Sequence, residues 1–276
     1  MLPTSERKAL VRPTPSWLIT DEVDYVELDL GRLKSGKEAE VFVVERTYLD
    51  RSCLLAHKRY RPRTVTHKGE LEELGFQRGN SFMNDLAYRD GRKFAKSRDQ
   101  RAAERMTNYG KKLLTGRWTG HELDMMQQAW RAGVNVPYPV GPRGDGLLMQ
   151  FVGDAERAAP RLSEARLGPT EVRSAFTQLL DNLRLLVEAG FVHADLSAYN
   201  LLWWHDELWM IDFPQAVDIT TNPHALDYLH RDLTNVCGWF TRHGEEIDVD
   251  ALYAELIAIC MATPEPLDIR PGRANT

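Results

Sequence analysis

The segment His193-Ala-Asp-Leu-Ser-Ala-Tyr-Asn200 decides how this sequence is interpreted. It follows a long apolar helix pattern, and Ile211-Asp-Phe213 comes shortly after it, behind a strand pattern. An Asp, an Asn five residues later and a second Asp behind a hydrophobic strand form a set that phosphoryl transfer uses. Asp195 would accept or orient the proton of the attacking hydroxyl, whereas Asn200 and Asp212 offer the hard oxygen ligands that Mg²⁺ prefers. Each residue alone is as well explained by a turn or a cap, but their order and spacing predict a phosphotransferase.

The N-terminal third supplies matching candidates for nucleotide binding. The stretch Gly31-Arg-Leu-Lys-Ser-Gly-Lys-Glu-Ala-Glu-Val-Phe42 lies between two strand patterns, and its glycines allow the backbone to turn closely over phosphates. Ser35 and Lys37 are the candidate phosphate contacts within it. This signal is weak by itself, because glycine-bearing hairpins are common and the spacing is not that of a P-loop. Ala56-His-Lys58 ends a strand pattern, which makes Lys58 a candidate for the lysine that pairs with the α- and β-phosphates.

A buried lysine needs a carboxylate partner, and the sequence offers two. Glu122 is the preferred partner of Lys58, and Glu104 is the second candidate. Thr-Gly-His-Glu over residues 119–122 also fits a capping box, in which Glu122 would serve the start of a helix instead.

The apolar run Leu147-Leu-Met-Gln-Phe-Val-Gly153 fits the strand that crosses between the lobes of a kinase. Met149 would then border the adenine pocket, and backbone groups of Gln150 and Val152 would bind the adenine edge. An ordinary core strand explains the same run.

Element patterns along the chain change from strands to helices. The strand patterns cover Val23–Leu33, Glu40–Glu45, Leu54–Tyr60, Leu147–Val152, Phe191–His193, Leu201–Trp203 and Leu208–Ile211. The helix patterns cover His121–Arg131, Glu171–Ala189, Ala225–Phe240 and Val249–Met261. Within them, Thr170 is placed to cap the second helix. This order predicts an α+β chain in two lobes, a β-rich first lobe and a mainly helical second lobe.

The predicted organisation has three parts. Residues 1–20 form an N-terminal arm, and residues 21–152 form the first lobe, with a basic loop or helical insertion at about 61–117. Residues 153–276 form the second lobe, which carries the catalytic and metal-binding loops.

Composition excludes several classes of protein. The chain has 276 residues, of which 43% are hydrophobic and 27% charged, so it can bury one large core or two modest ones. Its apolar runs are far shorter than the roughly 20 residues of a membrane-spanning helix, and the first residues lack the apolar region of a secretory signal. Three scattered cysteines argue against a disulfide framework or a zinc site. We therefore expect no membrane partner and a cytoplasmic location.

Charge is distributed unevenly along the chain. Residues 51–131 carry 18 lysines and arginines against 9 acidic residues, whereas residues 154–276 carry 9 against 20. Within the first stretch, residues 78–117 combine 11 basic and 4 acidic residues with several aromatic ones. Basic and aromatic side chains together suit RNA backbone contact and base stacking. Solvated helices that pack their aromatic residues on the first lobe explain the pattern equally well.

Taken together, the motifs resemble the RIO family of atypical protein kinases. The resemblance runs from about residue 28 to 236 and rests on G-x(4)-GKEA-x-V-[FY], A-x-K, LLMQFVGD, HADLSAYN, ID-x(2)-Q and PHALDYL. Ordinary protein kinases have Arg where Ala194 stands, and DFG where this chain has Asp212-Phe-Pro214. An activation segment of ordinary length is also missing, because Asn222-Pro-His-Ala-Leu-Asp227 follows within about ten residues.

The resemblance implies a trimmed two-lobed kinase fold that binds ATP and Mg²⁺, with Mn²⁺ as an alternative metal. It assigns catalysis to Asp195, metal binding to Asn200 and Asp212, and phosphate contact to Lys58 and Ser35. In RIO proteins the metal-binding aspartate can itself take the γ-phosphate, which would make Asp212 a nucleophile as well. Eukaryotic and archaeal members act in maturation of the small ribosomal subunit, some of them as ATP-driven switches.

Four functions therefore stay open at this point. The first is an ATP-dependent phosphotransferase that acts on protein Ser/Thr or on itself. The second is an ATP-hydrolysing switch, through an aspartyl-phosphate on Asp212, that binds a ribosomal or other RNA particle through residues 78–117. A small-molecule kinase of the antibiotic-phosphotransferase type shares the H-x-D-x(4)-N segment, but Ser-Gly-Lys-Glu-Ala and PHALDYL weigh against it. An inactive nucleotide-binding module is the least supported, since no catalytic position is lost.

Overall fold

The computed structural model describes residues 12–20, 23–36, 39–61 and 108–262. Lys37, Glu104 and most of the basic segment 78–117 lie outside these described residues. The predictions that concern them stay predictions.

Five antiparallel strands form one sheet in the order β1-β2-β3-β5-β4. Their bounds are β1 Val26–Ser35, β2 Ala39–Tyr48, β3 Arg51–Tyr60, β4 Pro139–Arg143 and β5 Gly146–Gln150. Strand β5 is almost entirely buried, as its continuous apolar run predicts. It pairs with β3 in a register that places Lys58 opposite Leu147. Strand β4 was not predicted, because Pro139 and Pro142 argue against a strand; both are tolerated because β4 is an edge strand.

The residues just before β1 pack against the sheet. Leu18 and Ile19 are buried in a small apolar cluster with Val44 and Leu55, and Arg46 donates to the Ile19 carbonyl at 2.7 Å. This part of the predicted arm therefore contributes to the core.

Helix α1 spans Asn108–Ala132 and is longer than the predicted 121–131. Gly116 and Gly120 in its interior lower helix propensity, which explains why the pattern showed only the C-terminal half. Because Thr119 and Glu122 lie well inside this helix, the alternative in which they form a capping box is wrong.

The C-terminal part is mainly helical. Its elements are α2 Pro169–Glu188, β6 Phe191–Val192, β7 Leu201–Trp204, β8 Glu207–Met210, β9 Val217–Asp218, α3 Ala225–Arg242 and α4 Val249–Ala262. Strands β6 and β9 form one two-stranded ribbon, and β7 and β8 form another. Helix α2 begins at Pro169 with Gly168 as its N-cap, and the Gly168 amide donates to Glu171 Oε2 at 2.7 Å. The prediction that Thr170 caps this helix is therefore wrong.

One large apolar core joins the sheet to these helices. It runs from Ala56 and Met149 under the sheet, through α1 and α2, to Leu256 in α4. The α+β class is confirmed by this arrangement. Among the described residues, none of the helices combines the length and apolar character needed to cross a bilayer.

Candidate active site

The segment His193–Asn200 forms an irregular loop between β6 and β7. Asn200 ties the loop into a tight unit, because its Nδ2 donates to the Asp195 carbonyl oxygen at 2.8 Å and to Asp195 Oδ2 at 3.2 Å. With its amide nitrogen used in this way, Asn200 keeps Oδ1 as the atom that can accept or ligate. Asn200 is buried, whereas Asp195 is exposed.

Helix α3 supports the same loop from below. Asp232 is 1% exposed, and its Oδ1 accepts the Leu196 amide at 3.1 Å. Arg231 Nη2 donates to the Ala194 carbonyl at 2.5 Å. Ala194 needs this support because its φ of 61° lies in the left-handed region that β-carbon-bearing residues disfavour. The helix thus fixes the direction in which Asp195 leaves the backbone.

The Asp212 loop is joined to the Asn200 loop by the backbone. The Ile211 amide donates to the Asn200 carbonyl at 3.0 Å, and His193 Nε2 bonds the Ile211 carbonyl at 3.1 Å. Burial lowers the pKa of His193, so the ring is neutral and serves as a donor to this carbonyl. Asp212 follows with a φ of 74°. These bonds bring the two candidate metal ligands to adjacent positions.

Lys58 lies between two carboxylates. Its Nζ is 2.6 Å from Glu122 Oε1 and 2.6 Å from Asp212 Oδ1. Burial alone would lower the pKa of Lys58, but the charges of Glu122 and Asp212 outweigh it and hold this pKa well above its ordinary value. Burial would likewise raise the pKa of Asp212, yet the Lys58 charge and hydrogen bond keep it below the ordinary value. Both groups are therefore ionised at neutral pH.

The residues present fit a magnesium ion. The ionised Asp212 carboxylate and Asn200 Oδ1 supply two hard oxygen donors, and Mg²⁺ completes its shell with phosphate oxygens and water. No group of three or more His, Cys, Asp or Glu that could hold a metal occurs in the part of the chain that the structure describes.

Strand β5 and the residues after it carry the predicted adenine contacts. The Gln150 amide donates to the Tyr138 carbonyl at 2.8 Å, and the Val152 carbonyl accepts the Ala159 amide at 2.9 Å. These two groups are therefore used by the protein itself. The Gln150 carbonyl and the Val152 amide take no part in these two bonds, and they are the other backbone groups of the predicted adenine contacts. Met149 is buried, next to Ala56 in the core.

A RIO domain family model matches residues 81–252, more than half of the chain. The chain belongs to the RIO domain family. This membership confirms the resemblance that the motifs indicated, and with it the trimmed kinase-like fold.

Relatives of the RIO protein are named serine/threonine-protein kinases. It is 35% identical over 163 residues to the human serine/threonine-protein kinase RIO3, covering 59% of this chain and 31% of the relative. It is 40% identical over 136 residues to the RIO-type serine/threonine-protein kinase Rio1 of Haloferax volcanii, covering 49% and 46%. The Thermoplasma acidophilum Rio1 is 33% identical over 135 residues, covering 49% and 69%. The chain thus spans less than half the length of the first two relatives.

Ser35, a candidate phosphate contact, lies at the end of β1. It ends β1 opposite Glu40, and Arg61 donates to its Oγ at 2.5 Å. Glu40 also accepts from Arg61 and Arg32, and these hydrogen bonds lower the pKa of Glu40. Ser35 therefore belongs to an exposed polar cluster at the end of β1.

Sequence reasoning missed four residues of this site. Tyr60, Asp232, Lys34 and Arg161 were not among the candidates. Tyr60 donates to Glu122 Oε2. Lys34 and Arg161 lie within electrostatic range of Asp212, where Arg161 helps to lower the pKa of that carboxyl. The sequence offered no indication of these four, because single charged or aromatic residues occur throughout the chain.

Proposed function

We propose that this RIO protein is an ATP- and Mg²⁺-dependent phosphotransferase that phosphorylates protein Ser/Thr residues or itself. The observation that carries the proposal is the ion-pair chain from Glu122 through Lys58 to Asp212, beside the loop that holds Asp195 and Asn200. Such an arrangement lets one lysine neutralise phosphate charge while carboxylate and amide oxygens hold the metal. The names of the relatives agree with a serine/threonine kinase.

Each part of the site has a distinct task in this proposal. Lys58 contacts the α- and β-phosphates, and Glu122 fixes its position. Asn200 and Asp212 would hold Mg²⁺ or Mn²⁺, which neutralises the charge on the phosphates. Met149 borders the adenine, while Gln150 and Val152 bind its edge. Ser35 and Lys37 serve as further phosphate contacts.

Asp195 is the catalytic aspartate of the proposal. Its exposed carboxylate can reach an incoming hydroxyl group, and Asn200 Nδ2 orients it at 3.2 Å. A carboxylate so placed accepts or orients the hydroxyl proton while the phosphoryl group moves in line. An exposed position suits a large acceptor such as a protein surface.

A second candidate is an ATP-hydrolysing switch that passes through an aspartyl-phosphate on Asp212. The ionised state of Asp212 and its 38% exposed side chain favour it, because a nucleophilic carboxylate must be charged and accessible. In this candidate the cytoplasmic protein binds a ribosomal or RNA particle, and hydrolysis releases it.

The two candidates are separated by the chemistry of the labelled product. Purified protein is incubated with Mg²⁺ and γ-labelled ATP, with Asp195→Ala and Asp212→Asn as variants, and label and free phosphate are followed together. We expect a hydroxylamine-resistant label that Asp195→Ala lowers by roughly 10²-fold or more. A label that hydroxylamine removes and Asp212→Asn abolishes would establish the switch instead. If the wild type neither labels itself nor releases phosphate, self-phosphorylation and the switch are both refuted.

A further inference from the structure

Tyr60 lies at the Lys58–Glu122 pair and has no role in the proposed function. It ends β3 two residues after Lys58, so the two side chains leave the same face of the strand. Tyr60 is 5% exposed, and its hydroxyl donates to Glu122 Oε2. The Lys58 Nζ lies 5.3 Å from the centre of the Tyr60 ring. The ring and the hydroxyl therefore contact both members of the pair.

Glu122 depends on these two donors. It is 0% exposed, its Oε1 is held by Lys58 at 2.6 Å, and its Oε2 is held by Tyr60. A buried carboxylate that loses a donor is strongly destabilised, because water cannot replace the hydrogen bond. Lys58 must serve Asp212 and, in the proposed function, the phosphates as well. The Tyr60 hydroxyl holds the second Glu122 oxygen.

The Tyr60 hydroxyl is a permanent donor. Burial raises the pKa of Tyr60, and the neighbouring Glu122 charge raises it further. The phenol therefore keeps its proton at neutral pH. A second lysine at this place would instead add a competing charge beside Lys58.

We propose that Tyr60 is a positioning residue: its hydroxyl fixes the Glu122 carboxylate so that Glu122 can hold Lys58 at the nucleotide phosphates. This inference rests on the proposed function. Tyr60 acts through Glu122 and contacts neither phosphate nor metal. Because Lys58 meets the phosphates both before and during transfer, losing the hydroxyl weakens nucleotide binding more than turnover.

Tyr60→Phe tests the hydroxyl alone, since the ring over Lys58 is kept. Tyr253→Phe is the matched control, because that partly buried hydroxyl donates to the Leu226 carbonyl at 3.3 Å, a contact between α4 and the first turn of α3 that involves none of the proposed site residues. We expect Tyr60→Phe to raise the KM for Mg²⁺-ATP about tenfold, with kcat changed less than about twofold. Tyr253→Phe should leave both constants unchanged.

A double-mutant cycle with Glu122→Gln tests the route of the effect. Once the Glu122 charge is removed, adding Tyr60→Phe should raise KM no further. Thermal unfolding of the four proteins without nucleotide should show the same coupling between the two positions. This second measurement needs no activity, so it tests the contact even where the proposed function fails.

Three results would overturn the inference. Additive effects of Tyr60→Phe and Glu122→Gln on unfolding would show that the two side chains do not act together. If Tyr60→Phe is coupled to Glu122→Gln in unfolding but leaves the KM for Mg²⁺-ATP at the wild-type value, Tyr60 has a structural role only. A wild type that neither binds nor turns over Mg²⁺-ATP would refute the proposed function, and the positioning role with it.

Discussion

Two residues of the candidate site have unfavourable backbone conformations. Ala194 and Asp212 have φ values of 61° and 74°, which cost free energy in residues other than glycine. Side chains elsewhere compensate by holding the adjacent backbone: Asp232 and Arg231 at Ala194, and His193 at Ile211. Strain kept by surrounding bonds in this way is characteristic of functional loops.

We expect Asp232 to make the stability of the folded protein depend on pH. Burial raises the pKa of Asp232 to about 7, above its ordinary value of 3.8. Since ionisation is harder in the folded state than in the unfolded state, the folded protein loses stability as pH rises from about 4 to about 7. Asn at this position keeps an acceptor for the Leu196 amide but does not titrate.

We therefore expect Asp232→Asn to gain stability relative to the wild type as the pH is raised from 5 to 7, with a constant difference above about 7.5. Thermal unfolding across this pH range measures it. Asp227→Asn, at an exposed position of the same helix, is the control. Parallel curves for Asp232→Asn and wild type would contradict the assignment.

At the scale of elements, the pairing of β3 with β5 places Lys58. Gly146 permits this pairing, because a β-carbon there would overlap the Lys58 carbonyl oxygen and lie 2.9 Å from Arg59 Cα. These are backbone atoms, which cannot turn aside as a flexible side chain would. The close approach of the two strands therefore requires glycine at this position.

Gly146→Ala should separate the strands at Lys58 and cost about 2 kcal/mol or more of unfolding free energy. It should also raise the KM for Mg²⁺-ATP, because Lys58 moves with its strand. Gly141→Ala in β4 is the control, since a β-carbon there has nothing within 4 Å. Unfolding in urea and steady-state kinetics measure the two effects, and equal behaviour of the two variants would disprove this account.

Across the whole molecule, the basic stretch 51–131 and the acidic stretch 154–276 would determine which part contacts an anionic partner. If residues 78–117 bind RNA, as the switch candidate requires, affinity must fall with salt because counterions are released. We expect Lys96→Glu to weaken binding of a ribosomal RNA fragment. The slope of log affinity against log salt concentration should fall by about one. Arg166→Glu, an exposed reversal in the acidic half, is the control. Salt-independent or absent binding would remove RNA as a partner.

The local sequence predicted most of the elements and named the candidate site residues that they carry. Helices α2, α3 and α4 and strands β3 and β5 show strong periodicity or apolar runs, so their positions were predicted to within a few residues. The N-terminal half of α1 and the strand β4 were missed because glycine and proline mask elements that tertiary packing stabilises. The order of Asp195, Asn200 and Asp212 was visible because these residues lie close together in the chain.

By itself, the sequence determined the fold class, the family and the residue types of the site, since these depend on periodicity and on short-range spacing. Only the tertiary structure decided which distant groups meet. The sequence offered Glu122 and Glu104 as partners of Lys58, and the structure shows the contact with Glu122, 64 positions away. The contact of Lys58 with Asp212, 154 positions away, was not predicted. Tyr60 and Asp232 entered the site for the same reason. A buried charge must find its partners in three dimensions, and nothing in the local pattern records which partner the fold brings to it.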